Sequence, residues 1–165
     1  MNDLTYPEVG ETRTEPMPAG YRHVRRHAIV GQGRAAFAAV RAGMLDFQIH
    51  RGAGMRVRAA GPPALEATFD TGIGLGPLRI WAPCRFVWYS DEELEFGYGF
   101  GTLPGHPARG EESFLATLRG DDVHFTIRAF SRPATWYARL GGPLATLMQD
   151  RVTDRYLVAA RRLVA

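Results

Sequence analysis

The sequence predicts an α+β fold in which a curved antiparallel sheet of about six or seven strands wraps around a long C-terminal helix. Three observations lead there. Alternating apolar and polar residues, joined by short glycine- and proline-containing turns, fill residues 65–131. One helix-period stretch follows, with Leu144, Leu147, Met148, Val152, Tyr156, Ala159 and Leu163 on a single stripe. A sheet with one apolar face must cover that face, and only this last helix is long enough to do so.

Each element has a local reason. Residues 1–20 are polar and proline-rich and read as an irregular arm. "YRHVRRHAIV" (21–30) reads as a strand broken by Gly31 and Gly33. "RAAFAAVRAGMLDFQ" (34–48) reads as a helix, because Phe37, Val40, Met44 and Phe47 recur at helical steps. "MRVRA" is a short strand and "GPP" (61–63) a turn. Strands are predicted at 65–75, 78–89, 94–101, 111–119 and 122–131, with Gly120-Asp121 as the last turn. Pro83 within the second of these implies a bulge or a sheet edge. Ser131 and Pro133 suit a helix start, so the C-terminal helix is predicted over 134–164, kinked at "GGP" (141–143). The length of 165 residues fits one domain.

Strand parity sorts the side chains. Phe69, Ile73, Cys84, Phe86, Trp88, Phe96, Tyr98, Phe100, Phe114, Val123, Phe125 and Ile127 are predicted to face inward. The opposite face carries Gly97, Gly99 and Gly101, and also Gly72, Gly74 and Gly76. Each strand glycine costs about 0.5–1 kcal/mol, so something should offset the loss. The simpler offset is Trp81, Tyr89 and arginine stems lying over the bare backbone. The sharper one is a ligand or another chain approaching it.

Glu112 shares the inward parity, and an inward carboxylate needs partners or loses its charge; His106, Arg109, Ser131 and Gln149 are the candidates. Glu111 should point out. His106 lies in "LPGHPARGEE", a loop restrained by prolines and glycines. It could form an acid–base pair with Glu111 or Glu112, or simply cap backbone groups. Cys84 is expected in the core, which weakens nucleophilic catalysis. "VGQGRAA" has the form of a dinucleotide fingerprint, but the antiparallel order that follows lacks the crevice this motif needs. His23 and His27 lie about 13 Å apart if in one strand, so no metal site is expected, nor any cofactor.

The net charge is +3, and all twenty basic residues are arginine. Eight of them fall between Arg22 and Arg58 against one acid, Asp46. Such a patch could meet nucleic acid or a protein, which is the weakest of the functional readings. No apolar run is long enough to span a membrane. The N-terminus has no signal-peptide pattern, and a lone cysteine suits a reducing compartment, so a cytoplasmic location is expected.

"GTLPGHPARGEESF" and "FTIRAFSRPATWYARLGGPL" resemble an uncharacterised family of small bacterial and plant proteins, a domain of unknown function. "LTYPEVGETR" and "GYRHVRRHAIVGQG" resemble its N-terminal pattern. The resemblance places the chain with the START-related, pollen-allergen-like helix-grip superfamily (SRPBCC). It implies a seven-stranded sheet around the last helix, often with a cavity for an apolar ligand. It supplies no activity. It marks Thr102, Pro104, Gly105, His106, Pro107, Gly110, Glu111, Glu112, Phe130, Ser131 and Pro133 as motif positions.

The leading expectation is therefore a protein that binds an apolar or amphipathic small molecule between sheet and C-terminal helix. Trp88, Tyr98, Phe100, Phe130, Trp136 and Met148 are the wall candidates, with Thr102 beside them at the motif, and His106, Glu112 and Ser131 are the polar anchors. The competing expectation is an enzyme using His106 with Glu111 or Glu112. A third is an interaction module built on the arginines of 22–58.

Overall fold

The computed structural model describes residues 3–74, 76–135, 139 and 141–165. Seven strands form one sheet, antiparallel at every pairing, in the order β1-β7-β6-β5-β4-β3-β2. They are β1 (Arg22–Gln32), β2 (Arg56–Ala59), β3 (Thr68–Ile73), β4 (Ile80–Glu92), β5 (Glu95–Thr102), β6 (Ala108–Arg119) and β7 (Asp122–Pro133). Helices α1 (Gly33–Leu45) and α2 (Gln48–Gly52) lie between β1 and β2, and α3 (Gly142–Arg162) follows β7. The helix expected over 34–48 is thus two helices, broken where Phe47 takes a left-handed φ of 55°.

α3 begins where a kink was expected, with Pro143 in its first turn, where a missing N–H costs little. Ahead of it, the Arg139 N–H bonds to the Thr135 carbonyl at 3.1 Å. Trp136, expected as a cavity wall, lies outside the described residues, as do Tyr137, Ala138 and Leu140.

The concave face is packed with rings. Phe69 stacks on Phe86 at 4.6 Å, Tyr98 meets Phe86 edge-on at 5.1 Å, and Phe114 meets Tyr156 of α3 at 4.8 Å. At the centre His50 of α2 is fully buried, with Phe47, Phe69, Phe100, Phe114 and Tyr156 around it and no partner for either ring nitrogen. Burial holds its pKa down to about 3, so it is a neutral imidazole. Tyr98 belongs to this solid core, its hydroxyl donating to the Met44 carbonyl at 3.3 Å. Among the described residues, these rings pack the middle of the grip.

Three wall candidates change place. Between Phe86 and Trp88 the β4–β5 register shifts by one residue. Past this bulge the parity inverts, so Trp88 turns to the convex face against Gly99 and Tyr89 turns inward against Phe96. Phe130 has the outward parity and is buried beneath Tyr6, Met17 and Tyr21 of the N-terminal arm. Met148 is 51% exposed, as are Leu144 and Leu147 in the same half of α3, because the buried stripe is confined to the half that carries Thr153, Tyr156, Ala159 and Ala160. Pro83 pairs with Asp70 of β3 and, just past the last β4–β5 pair, Cys84–Thr102, its carbonyl accepts the Leu103 N–H at 3.0 Å, so the proline sits at the end of the β4–β5 ladder in an interior strand rather than at a sheet edge.

The arm is an ordered outer layer. Glu111, 3% exposed, accepts hydrogen bonds from the Tyr6 hydroxyl at 2.7 Å, the Gly10 N–H at 2.7 Å, the Thr12 N–H at 3.0 Å and the Thr12 hydroxyl. Trp88 Nε1 donates to the same Thr12 hydroxyl at 2.9 Å. The glycine row on β5 is where this layer is seated. A Cβ on Gly99 would stand 2.1 Å from Trp88, and one on Gly101 2.1 Å from the Tyr6 oxygen. The chain's own arm and its flipped tryptophan occupy the bare backbone there. Trp81 covers Gly72 as expected, while Gly74 and Gly76 fall in a turn after β3.

The arginines of 22–58 are dispersed. Arg22 and Arg26 pair with Asp150 and Asp154 of α3, Arg25 with Glu15, Arg34 with Glu93, Arg41 with Asp91, and Arg51 with Asp46. Arg58 stacks over Trp81 at 3.5 Å. Spread over several faces and largely neutralised, they form no basic patch of the kind a polyanion requires. No described helix is long and apolar enough to cross a membrane.

Candidate functional site

Where β4, β5, β6 and β7 meet the exposed half of α3, a cleft of about 90 Å³ opens at the rim of the sheet. Cys84, Phe100, Thr102, His106, Ala108, Gly110, Glu111, Glu112, Ala129, Ser131 and Gln149 line it. The cleft thus gathers six of the residues predicted from the sequence: Phe100, Thr102, His106, Glu111, Glu112 and Ser131. A larger, more open groove of about 550 Å³ between the end of α1 and β2 offers only Asp46, Arg51 and Arg58 as charged groups. The first two pair with each other, and the third is stacked on Trp81.

Glu112 is positioned by pairing. It faces Phe100 on β5 and Ala129 on β7, so its side chain rises from the concave face among apolar neighbours. Burial alone pushes its carboxyl up to about 8, with no cation or hydrogen-bond donor contributing. At neutral pH it is mainly the uncharged acid. Arg109, expected as a partner for Glu112 from its nearness along the chain, is exposed and stands outside the cleft.

His106 does not pair with either glutamate. Its Nδ1 lies 2.9 Å from the Ala108 nitrogen and 3.1 Å from the Ala108 carbonyl oxygen, and burial holds its pKa down to about 4. Glu111 is committed to the arm on the other face of the sheet. Among the described residues no hydrogen bond joins His106 to Glu111 or Glu112, and His106 caps its own loop. Burial also pushes the Cys84 thiol up, which keeps it protonated and a poor nucleophile.

Two further groups complete the site. Gln149 of α3 donates from Nε2 to the Ser131 hydroxyl oxygen at 3.1 Å and accepts from Arg22 at 2.8 Å. The Thr102 hydroxyl accepts the Gly110 N–H at 3.0 Å and meets the Thr5 hydroxyl of the arm. Gln149 is legible in the sequence only as a partner for Glu112, and nothing there signals the bridge to Arg22.

Residues 5–159 match the family model described as Domain of unknown function (DUF1990). The chain belongs to the DUF1990 family. A relative of this DUF1990 chain, a UPF0548 protein of Deinococcus radiodurans, is 31% identical over 97% of the chain and 85% of the relative. Among solved structures, a hypothetical protein of Helicobacter pylori superimposes with a TM-score of 0.66 at 8% identity, covering 100% of this chain and 98% of that one. A norcoclaurine synthase of Thalictrum flavum, solved with a transition-state analogue, gives a TM-score of 0.56 at 8% identity over 86% of this chain and 95% of that one. At such identities the likeness establishes the helix-grip fold alone.

Proposed function

We propose that this protein binds a small apolar or amphipathic molecule in the cleft between the sheet rim and α3, inside a reducing cell compartment that keeps its lone buried thiol intact. The observation that carries this reading is Glu112. Its carboxyl lies in a partly apolar cleft with no protein partner among the described residues. Glu112 is half-buried in the cleft wall, and a ligand that hydrogen-bonds it would take the place of the solvent it still meets. Phe100, Cys84 and Ala129 supply the apolar wall, and Ser131, Thr102 and His106 the polar rim. A volume of about 90 Å³ is roughly three times the space of a liquid water molecule. The site therefore suits a compact molecule or one end of a longer one. The norcoclaurine synthase with its bound analogue supports the reading by example of the fold.

A second reading is favoured by the same carboxyl. A group that titrates near neutrality in a cleft is suited to general acid–base work, with Glu112 acting alone.

Native mass spectrometry of protein purified from its own host tests the binding reading. A retained small-molecule adduct is expected on the wild type and not on Glu112→Leu. A wild type that carries no adduct, beside a Glu112→Leu variant that is merely more stable, would show that the carboxyl is an unoccupied core acid.

A further inference from the structure

Two parts of the fold run past one end of the sheet. The last β4–β5 pair there is Cys84–Thr102, yet β4 continues back to Ile80 laddered only with β3. Those four residues, Ile80 to Pro83, are about 13 Å of strand. A 3₁₀ turn, Gly76–Leu78, precedes them at the tip. α3 overhangs the same end. Gln149 is bonded to Ser131 and Arg22, which face each other across β7 and β1. The seven residues from Gly142 to Met148 come before that level, about 10 Å of helix.

Both overhangs carry apolar side chains into water. Leu78 is 84% exposed at the tip, and Ile80, on the concave parity of Ala82 and Cys84, is exposed where those two are buried. Leu144, 64% exposed, shares one face of α3 with Leu147, Met148 and Arg151, at i, i+3, i+4 and i+7. That face points away from the sheet, because Gln149, Thr153 and Tyr156 occupy the opposite one. Half of the exposed large apolar side chains among the described residues stand on these two lips, which is clustering rather than the ordinary scatter of a protein surface.

The charge around the lips has one sign. Arg79 lies at the hairpin, Arg109 and Arg132 at paired positions of β6 and β7, and Arg151 on α3. The acids at this end are matched by other arginines. Asp3 pairs with Arg85, Asp150 pairs with Arg22 and Arg26, and Asp70 stands opposite Arg58 on β2. Glu112 lies down in the cleft.

We propose that this end of the molecule is a peripheral docking surface for an anionic lipid bilayer, with Leu78 and the Leu144–Leu147–Met148 face entering the interface and the four arginines meeting the headgroups. Apolar side chains flanked by cations suit that interface. A second copy of the chain would set arginines against arginines. A protein partner needs one closely packed complementary face. Here the apolar side chains stand on two lips with the cleft, lined from Cys84 to Gln149, between them, and a fluid interface receives each lip separately. The docking does not require that the cleft hold a ligand.

The test is flotation of the full chain with phosphatidylcholine vesicles, with and without phosphatidylglycerol. Binding is expected to the mixed vesicles, at least about tenfold weaker without the anionic lipid, and falling as salt rises. Leu78→Ser combined with Leu144→Ser should weaken it at least about tenfold, and Arg109→Gln about fivefold. All three positions are exposed, so these variants should keep the wild-type urea midpoint. Leu94→Ser, exposed in the β4–β5 turn at the other end of the sheet, should bind as the wild type does. No binding to the mixed vesicles, equal binding to both kinds, or equal losses in Leu94→Ser and the double variant would each overturn the proposal. So would a dimer in solution that the double variant dissolves with no vesicle binding at all, which gives the surface to a second copy. The vesicles carry no cleft ligand, so any of these failures leaves the binding cleft as it stands.

Discussion

Gly99 and Gly110 are required for different reasons, and single substitutions separate them. At Gly99 the obstacle is a side chain: an added Cβ would stand 2.1 Å from Trp88 Nε1. Gly99→Ala must push the indole away and break its bond to Thr12, an overpacking cost of about 1–3 kcal/mol. At Gly110 the obstacle is the Phe130 carbonyl oxygen at 1.9 Å, and the φ of 149° is one that side chains rarely adopt. Backbone in a central strand pair cannot give as an indole can, so Gly110→Ala is expected to cost more than Gly99→Ala. Gly142→Ala is the control, since a Cβ there meets nothing within 4 Å, and it should stay within about 0.5 kcal/mol of wild type. Urea unfolding midpoints measure all three. A Gly110→Ala midpoint equal to that of Gly142→Ala would contradict the strand geometry at the cleft.

At the scale of elements, the N-terminal arm is fastened to the convex face chiefly through one carboxylate. Glu111→Gln replaces an acceptor of four donors with a group whose own N–H₂ points at donors. Each charged hydrogen bond lost is worth about 1.5–3 kcal/mol. Hydrogen exchange should show the Gly10 and Thr12 amides losing protection while β6 and β7 keep theirs. Equal exchange in variant and wild type would mean that the arm is held elsewhere, by Phe130 and its rings. This outer layer is the least legible part of the chain, because residues 1–20 lack periodicity and only tertiary contacts order them. The sheet and α3 are legible because alternation and helical spacing are local signals. Parity places Glu112 inward correctly, since no irregularity separates it from Phe114 on β6. Parity fails at Trp88 because the bulge at Val87 leaves no trace in "FVWYS", where apolar residues suit either face. A cavity-wall role for Phe130 runs against parity, since its even position on β7 already points away from the concave side. Met148 continues the apolar stripe of α3, but periodicity cannot say where along a helix the covering sheet stops.

For the whole molecule, His50 and His106 bend stability one way with pH and Glu112 bends it the other. His50 has a folded pKa of about 3 against an ordinary 6.5. Below about pH 6.5 the unfolded chain takes up a proton that the fold refuses, so this contribution is present above 6.5 and lost as pH falls toward 3. Glu112 has a folded pKa of about 8 against an ordinary 4.5. Its contribution is present below 4.5 and lost as pH rises toward 8, because the fold holds a proton that the unfolded chain releases. Between 4.5 and 6.5 the mismatches of the two histidines oppose that of Glu112, and each changes stability by about 1.4 kcal/mol per pH unit. His106, with a folded pKa of about 4, acts in the same sense as His50, so from these three groups stability should rise from 4.5 to 6.5 and fall above 6.5. Glu112→Gln should remove the alkaline limb, so its advantage over wild type grows up to about pH 8 and then levels. His50→Leu, close in volume within the ring of aromatics, should remove part of the acid limb and leave the alkaline one intact. Chemical denaturation across pH reads both differences directly. A wild-type stability that climbs between pH 6.5 and 8, in parallel with Glu112→Gln, would mean that the Glu112 carboxyl is ionised in the native cleft. An ionised Glu112 would set a charge against the apolar wall of Phe100 and Ala129, so the stability curve reads the state of the carboxyl on which the proposed binding rests.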